Sequence, residues 1–371
     1  MPTPANTRKN KTVLSALRQW ILTHGRPGSR LPTRHEMAEL HGVSPMTAQR
    51  AFDRLAADGF VVSRGRNGTF VVDKPPHLFR YGIVFSSDPS GGEGGYWPPA
   101  WQAFNAEALR VQHVDRRREV VPFYNVTGHI DSEDFQRLNR EIECGRLAGL
   151  IFSGWPMPDS VANSPVWEHP DLPRVVLSGS GVPGKAVLVS AGQWDAVEPA
   201  LDAFAAAGRK RIAIVDLPGS VLLDPKRTIA AIEQRGMTTR PYWLLGVNHQ
   251  TNYSATQVVQ LLMSGRPEER PDGLFIANPF LVEPATAGLA AAGVRIPHDL
   301  SVIAGGNFPH LTRSHVPVRW LGVDIREIIR TAIDLIDRQR RGEAIEQVTT
   351  MPNIFEEQLS PEDSLKRLIE V

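Results

Sequence analysis

Leu31-Pro32-Thr33-Arg34-His35-Glu36-Met37-Ala38, continued by Gly42-Val43-Ser44-Pro45-Met46-Thr47-Ala48-Gln49-Arg50-Ala51-Phe52, encodes two short helices joined by a tight turn. Thr33 and Glu36 have the spacing of a capping box, in which the hydroxyl accepts from the Glu36 backbone N–H and the carboxylate accepts from that of Thr33. Gly42 can end the first helix in a left-handed conformation, Ser44 can cap the second, and Pro45 at its first position loses no intrahelical bond. Ala48, Phe52 and Leu55 share one face at helical spacing, which turns Met46, Gln49, Arg50 and Asp53 outward. That outward face is the one free to enter a groove of DNA.

Upstream, Val13, Leu14, Leu17, Ile21 and Leu22 form the apolar stripe of a leading helix that supports the pair. Downstream, two β-rich runs at 60–63 and 69–72 flank Gly65-Arg66-Asn67-Gly68, and Asn-Gly favours a tight primed turn. The hairpin reads as a wing. Arg64 and Arg66 at its tip can lie on phosphates or in the minor groove while the second helix occupies the major groove. Charge supports this reading: residues 1–76 carry 12 Lys+Arg against 5 Asp+Glu, the rest 29 against 35, although the whole chain is only +1. A basic head on an acidic body is the footprint of a nucleic-acid-binding domain joined to something else.

Residues 10–73 resemble the winged-helix domain of GntR-family bacterial regulators. The resemblance rests on Leu-Arg-x-x-Ile at 17–21, Pro-Gly-x-x-Leu-Pro at 27–32, Gly-Val-Ser at 42–44, Arg50-Ala51, Leu55, Asp58-Gly59 and Gly68-Thr69-Phe70-Val71. It implies DNA contacts from Thr33, Arg34, Ser44, Thr47, Gln49, Arg50 and Arg66. The chain departs from the pattern at Pro45, where the family often has Arg, and at Arg66, where it commonly has Gly, so a base preference does not transfer.

After a stiff linker at Lys74-Pro75-Pro76-His77, apolar runs at 81–85, 150–152, 175–177, 187–189, 212–215, 273–276 and 301–303 alternate with helical patterns such as 194–207 and 224–235. Such alternation implies largely parallel sheets covered on both faces, and a body of about 295 residues implies two α/β lobes. Ligands of open α/β sheets bind beyond the carboxyl ends of the strands. Those ends carry Ser86-Ser87-Asp88, Ser153-Gly154-Trp155, Ser178, Asp216, Asn278 and Gly306-Asn307. Short polar groups beside aromatic rings suit a hydroxyl-rich ligand. The Gly-rich loop at 89–99 is expected to bring Tyr96 and Trp97 over the cleft, and it lacks the Lys-Ser/Thr ending of a phosphate loop.

Over roughly 79–360 the body resembles the periplasmic-binding-protein-like sensor of LacI/GalR regulators. The carrying pieces are Ala206-Ala207-Gly208-Arg209-Lys210-Arg211-Ile212-Ala213-Ile214, Ala277-Asn278, the run from Ala292-Gly293-Val294-Arg295-Ile296-Pro297 through His298-Asp299-Leu300-Ser301-Val302-Ile303, and Leu311-Thr312. A GntR head on this body is similar to arabinose-repressor-type architecture. The resemblance places a ligand arginine at Arg227, a stacking aromatic near Tyr253 and a strand-end asparagine at Asn278. Where that family carries paired acids this chain has Gly306-Asn307, the acid after the strand-end Asn is Pro279, and the aspartate expected around Ser178 is absent. Losing these carboxylates removes strong acceptors for sugar hydroxyls, and leaves open a different ligand or a cleft that has lost one.

The expected organisation is therefore an N-terminal winged helix-turn-helix (1–73), a linker (74–78) and a two-lobed α/β sensor and dimerisation domain (79–371). Lobe 1 is expected to take about 79–188 and 306–321, and lobe 2 about 189–305 and 322–371. Enzyme readings find little support: the four lysines of the body, Lys185, Lys210, Lys226 and Lys366, lack a cofactor context, the histidines lack metal-ligand spacing, and no Gly-x-Ser-x-Gly elbow occurs. No cofactor and no metal are expected. A single cysteine, Cys144, a basic polar start and no long apolar run point to a cytoplasmic protein without a membrane span. The expected partners are operator DNA, a sugar or sugar-derivative effector and a second copy of the chain in a homodimer; the expected activity is repression. Two alternatives are a DNA-binding protein whose body only dimerises, and a solute-binding protein.

Overall fold

The computed structural model describes residues 4–90, 97–114, 118–126, 132–154, 161, 163–169, 171–177, 186–248 and 253–359. The head consists of helices α1 (Pro4–His24), α2 (Arg34–Leu40) and α3 (Pro45–Ala57) and the strands β1 (Val61–Ser63) and β2 (Thr69–Val71). Both caps form as read from sequence. Thr33 N–H donates to Glu36 at 2.6 Å and Glu36 N–H to Thr33 Oγ1 at 3.2 Å, while Ser44 Oγ accepts from Thr47 N–H at 3.1 Å. Gly42 ends the turn at φ +58°. Val13, Leu17 and Ile21 of α1 pack on Ala48, Phe52 and Leu55 of α3, with Phe60 and Val71 closing the core. Each fully buried aliphatic or aromatic side chain here contributes about 1.5–3 kcal/mol. Leu22 lies off this stripe, 38% exposed.

The wing differs from expectation at its tip. Residues Gly65–Asn67 form a 3-10 turn, with Gly65 at φ +59° and Gly68 at φ +103°. Two glycines supply the left-handed positions, so Asn67 is not needed in one, and the loop is longer than a two-residue turn. The linker also differs: Pro75 is extended, but Pro76–Leu78 turns helically and Pro75, Pro76 and His77 are buried. His77 stacks on Phe60 with ring centroids 5.7 Å apart, which packs the linker against the head.

Two six-stranded sheets build the body. The first runs β4 (Glu119–Phe123), β3 (Arg80–Val84), β5 (Gly149–Phe152), β6 (Arg174–Val176), β7 (Val187–Ser190) and β13 (Val348–Thr350). The second runs β9 (Leu244–Gly246), β8 (Ile212–Asp216), β10 (Gly273–Ile276), β11 (Ser301–Phe308), β12 (Arg319–Asp324) and β14 (Ile354–Phe355). The pairings described are parallel except β12 with β14. Over their first five strands the order in which the chain adds strands reverses at one internal point of each sheet, between β3 and β5 and between β8 and β10. In open parallel sheets that reversal opens the crevice where ligands bind.

The helices that fix these strand ends are α4 (Pro99–Val114), α5 (Glu133–Glu143), α6 (Pro165–Glu168), α7 (Gln193–Ala206), α8 (Pro225–Glu233), α9 (Ser254–Leu262), α10 (Pro279–Ala291) and α11 (Ile325–Arg340). Two compact units result, one holding 1–92, 108–187 and 332–347, the other 93–107, 188–331 and 348–371. The expected lobe exchange is corrected by this topology. Residues 306–321 do not cross to the first lobe, because β11 and β12 both lie in the second sheet. The crossing comes later: the end of α11 joins the first unit, β13 the first sheet, and β14 returns to the second.

The strand read as 301–303 runs on to Phe308 through Gly305 and Gly306. A Cβ on Gly305 would stand 2.2 Å from the Ala277 carbonyl oxygen, and one on Gly322 would stand 1.8 Å from that of Gly306, its register partner. These glycines mark backbone close approach within a sheet rather than a loop.

Candidate functional site

On the head, α3 presents Met46 (64% exposed), Gln49, Arg50 and Asp53 on its outer face. Arg34 of α2 donates to Gln49 Oε1 at 3.2 Å, and Gln49 Nε2 donates to Asp53 at 2.8 Å, so a polar chain ties the start of α2 to α3. Thr33 and Ser44 are exposed and serve as caps. Thr47 is only 4% exposed and its hydroxyl bonds Ser44, so its part is to hold the turn. On the wing, Arg64 lies over the Phe70 ring at 4.9 Å and Arg66 is exposed in the tip turn. The ring holds one face of the exposed Arg64 guanidinium. The hydrogen bonds from Thr33 hold the Glu36 carboxyl below its usual range, the Thr33 backbone N–H first among them.

In the second sheet the carboxyl ends of β8 and β10 meet. Asp216, 2% exposed, accepts from Leu217 N–H at 2.7 Å, from the Ser220 hydroxyl and from the Asn278 amide. Burial pushes its carboxyl up, and those hydrogen bonds partly offset the rise. Asn278 Oδ1 in turn accepts from Phe280 N–H at 3.1 Å and caps α10. Asn278 therefore orders the strand end through both halves of its amide. Arg227, exposed in the first turn of α8, lies 3.8 Å over the ring of Trp194 in α7. A guanidinium stacked this closely is held in place with its donor edge free for a polar ligand.

Tyr253 is 76% exposed just before α9. Asn307 is 8% exposed within β11, beside Val323 in register. At the end of β12, Arg326 and Asp324 form a two-pronged ion pair with side chains 8% and 11% exposed.

In the first sheet, Asp88 after β3 accepts from Ser90 N–H at 2.8 Å and from Asn125 Nδ2 at 2.6 Å, linking the ends of β3 and β4. Asn125 sits at φ +52°, a conformation asparagine tolerates better than most residues. Trp97 is 9% exposed and meets Trp101 edge to face at 5.4 Å, so it packs rather than reaching outward. Tyr96, Trp155 and Ser178 lie outside the described residues.

The residues missed from sequence are Trp194, Asn125 and the Asp324–Arg326 pair. Trp194 carried a signal, an aromatic at the start of a helix directly after a strand; Asn125 acts through the distant Asp88 and its own backbone conformation, and the Asp324–Arg326 pair, though adjacent in sequence, is set apart only by its burial in the fold. Among the described residues no group of three or more His, Cys, Asp or Glu could hold a metal, and no helix is long and apolar enough to cross a membrane.

Residues 9–71 match the family described as bacterial regulatory proteins, gntR family, and residues 201–356 match the periplasmic binding protein-like domain. The HTH-type transcriptional repressor PurR of Aliivibrio fischeri is 30% identical over 112 residues, 28% of this chain and 33% of that protein. The chain thus matches about a third of the length of this curated relative. Among solved structures, a regulatory protein of the LacI family from Chloroflexus aggregans shares the fold at TM-score 0.55 and 18% identity, covering 75% of this chain and 96% of its own. A LacI family regulator from Lactobacillus casei with bound sucrose aligns at TM-score 0.52 and 19% identity, covering 75% and 98%. The architecture is a GntR-type helix-turn-helix domain followed by a body that contains a periplasmic-binding-protein-like domain and shares the fold of the LacI-family structures.

Proposed function

We propose that this chain, a GntR-type head on a periplasmic-binding-protein-like body, is a DNA-binding transcriptional repressor whose operator affinity is set by a sugar or sugar-derivative effector. The observation that carries the reading is the coexistence of an outward α3 face and arginine-tipped wing with polar strand ends and a stacked arginine in the second unit. The relatives support it: PurR is named a repressor, and the Lactobacillus casei regulator was crystallised with sucrose. Two chains forming a homodimer in the cytoplasm would read half-sites related by a two-fold axis. Effector and DNA then alter each other's affinity by the same factor.

The DNA contacts proposed are Arg34, Gln49, Arg50, Arg64 and Arg66, with Thr33, Ser44 and Thr47 holding the caps and turn. Replacing Arg34 or Arg66 by alanine should weaken binding to DNA selected from a random pool, and lower the slope of log affinity against log salt by about 1 for each phosphate no longer touched. An unchanged slope removes that residue from the phosphate set.

Effector groups are proposed at Arg227, Tyr253, Asn278 and Asn307 of the second unit and, taken separately, at Asp88 of the first. Thermal unfolding of the full chain against sugars, sugar acids, polyols and glycosides tests the sensor, since a ligand of the native state raises Tm. With a hit in hand, Arg227→Ala should cost about 1.5–3 kcal/mol of effector affinity, the worth of a charged hydrogen bond. Trp194→Ala should cost about 0.5–1 kcal/mol by freeing the guanidinium, and unliganded DNA binding should survive both changes. An intact response in Arg227→Ala sinks the assignment. The reading in which the body only dimerises draws on Asp216 and Asn278 being satisfied by each other and by α10; it predicts dimers and DNA binding with no Tm response across the panel.

A further inference from the structure

The head and the first sheet are joined within one compact unit around a cavity of about 1080 Å³. Its walls come from α1, the linker, the end of α5 with the segment after it, the segment entering β6 and the end of α11. Arg174 is the unusual group there. It is 9% exposed, and no carboxylate among the described residues lies within ion-pairing distance of it, although Glu143, Asp171 and Glu343 also line the cavity. The Glu343 carboxylate is taken by Arg338 and Arg341.

What Arg174 does have is the His169 carbonyl, which accepts from Nη2, and the Trp167 ring 5.6 Å from its Cζ. Among the described residues its Nε–H is buried without a hydrogen-bond partner. The cavity's two histidines share the deficit: the Nδ1 atoms of His77 and His169 are buried and find no partner among those residues either. A buried guanidinium without a counter-charge is costly, because neither a ring face nor a carbonyl replaces the hydration it gives up. Burial accordingly draws Arg174 down from its ordinary pKa and, with the Arg340 charge, lowers His77 to about 4, the behaviour of a site whose charge is uncompensated.

We propose that this junction cavity is a binding site for a compact anion, a phosphate or carboxylate, held by the Arg174 guanidinium with His169 as second donor. The planar fork of Arg174 suits two oxygens of either group, and neutral imidazoles can donate through Nδ1–H. The site is built from residues other than the strand-end groups assigned to the effector, and does not depend on that assignment. Because α1 and the linker form part of its wall, occupancy would fasten the head to the body.

The test is thermal unfolding of the full chain against inorganic phosphate, with sodium malonate as the carboxylate arm, both at ionic strength held constant with KCl. A saturable rise in Tm is expected for wild type, lost in Arg174→Gln and reduced in His169→Ala. Should Arg174→Gln not fold, tryptophan emission gives a second readout: saturable change on phosphate addition in wild type, and its loss in Trp167→Phe, which keeps a ring beneath the guanidinium. A response to phosphate alone or to malonate alone identifies the group bound. No saturable response, or one equal in wild type and the variants, overturns the proposal. A Tm that ignores both anions but rises with protein concentration also overturns it, and gives the cavity to a second copy of the chain.

Discussion

Gly322→Ala should be the most damaging single methyl addition in the body. The new Cβ would lie 1.8 Å from the Gly306 carbonyl oxygen and 2.6 Å from its carbon, with backbone rather than a movable side chain on the other side. Relief requires β11 and β12 to separate along the pairing that runs from Ile303 with Arg319 to Phe308 with Asp324. Overpacking a core ordinarily costs about 1–3 kcal/mol, and a clash with paired backbone belongs at or beyond the top of that range. Gly265→Ala is the control, since its nearest foreign atom is the Glu269 Cβ at 3.9 Å and its backbone is ordinary. Urea unfolding should show the Gly322 variant destabilised by about 3 kcal/mol or more and the Gly265 variant within about 0.5–1 kcal/mol of wild type. Equal midpoints for the two variants would mean that the strands do not approach so closely in solution. Because Asn307 and the Asp324–Arg326 pair sit at the ends of these strands, effector binding should fall with stability in the Gly322 variant.

Those same glycines show where sequence reading stops. Gly305 and Gly306 look like loop residues because glycine is depleted from strands, and only the neighbouring backbone of Ala277 and Gly322 reveals why they are needed in one. Pro122 hid β4 in a similar way: proline removes a ladder donor, and the structure tolerates it because β4 is the edge of its sheet. The head was far more legible, since capping boxes, a proline at the first helical position and left-handed glycines are local signals that act within a few residues. Its misreading at the wing tip is of the same kind as the others: Asn67-Gly68 satisfies a two-residue turn locally, yet Gly65 permits a 3-10 turn instead. For the candidate sites, position after a strand pointed to Asp88, Asp216 and Asn278, and the family resemblance to Arg227, whereas the partners Trp194 and Asn125, and the pairing of Asp216 with Asn278, come together only through the fold.

Removing the Asp58 carboxylate should loosen the head more than any exposed substitution on it. Asp58 follows the end of α3, its side chain is 2% exposed, and it receives Arg18 at 2.8 Å and Arg54 and Arg146 at 3.2 Å each. Arg54 is 55% exposed and contributes little, but Arg18 is 12% exposed and would be left without the carboxylate it pairs with. Arg146 belongs to the body, where it also grips Glu141 at 2.8 Å, and Glu141 holds Arg80 of β3 at 2.8 Å. Charge thus alternates without a break from the end of α3 to the first sheet. Breaking one partner out of a buried pair typically costs about 3–5 kcal/mol, because the guanidinium left behind stays desolvated. Asp58→Ala should therefore raise hydrogen exchange across 45–57 by an amount in that range and weaken DNA binding, while Arg146→Ala, which leaves Asp58 to Arg18 and Glu141 to Arg80, should cost about 1.5–3 kcal/mol. The double variant should cost clearly less than the two single changes together, since removing Asp58 and Arg146 at once leaves fewer orphan charges. Strict additivity would mean that the head and body meet without sharing this network, and that any signal from body to head travels through the linker and its stacked His77–Phe60 contact instead.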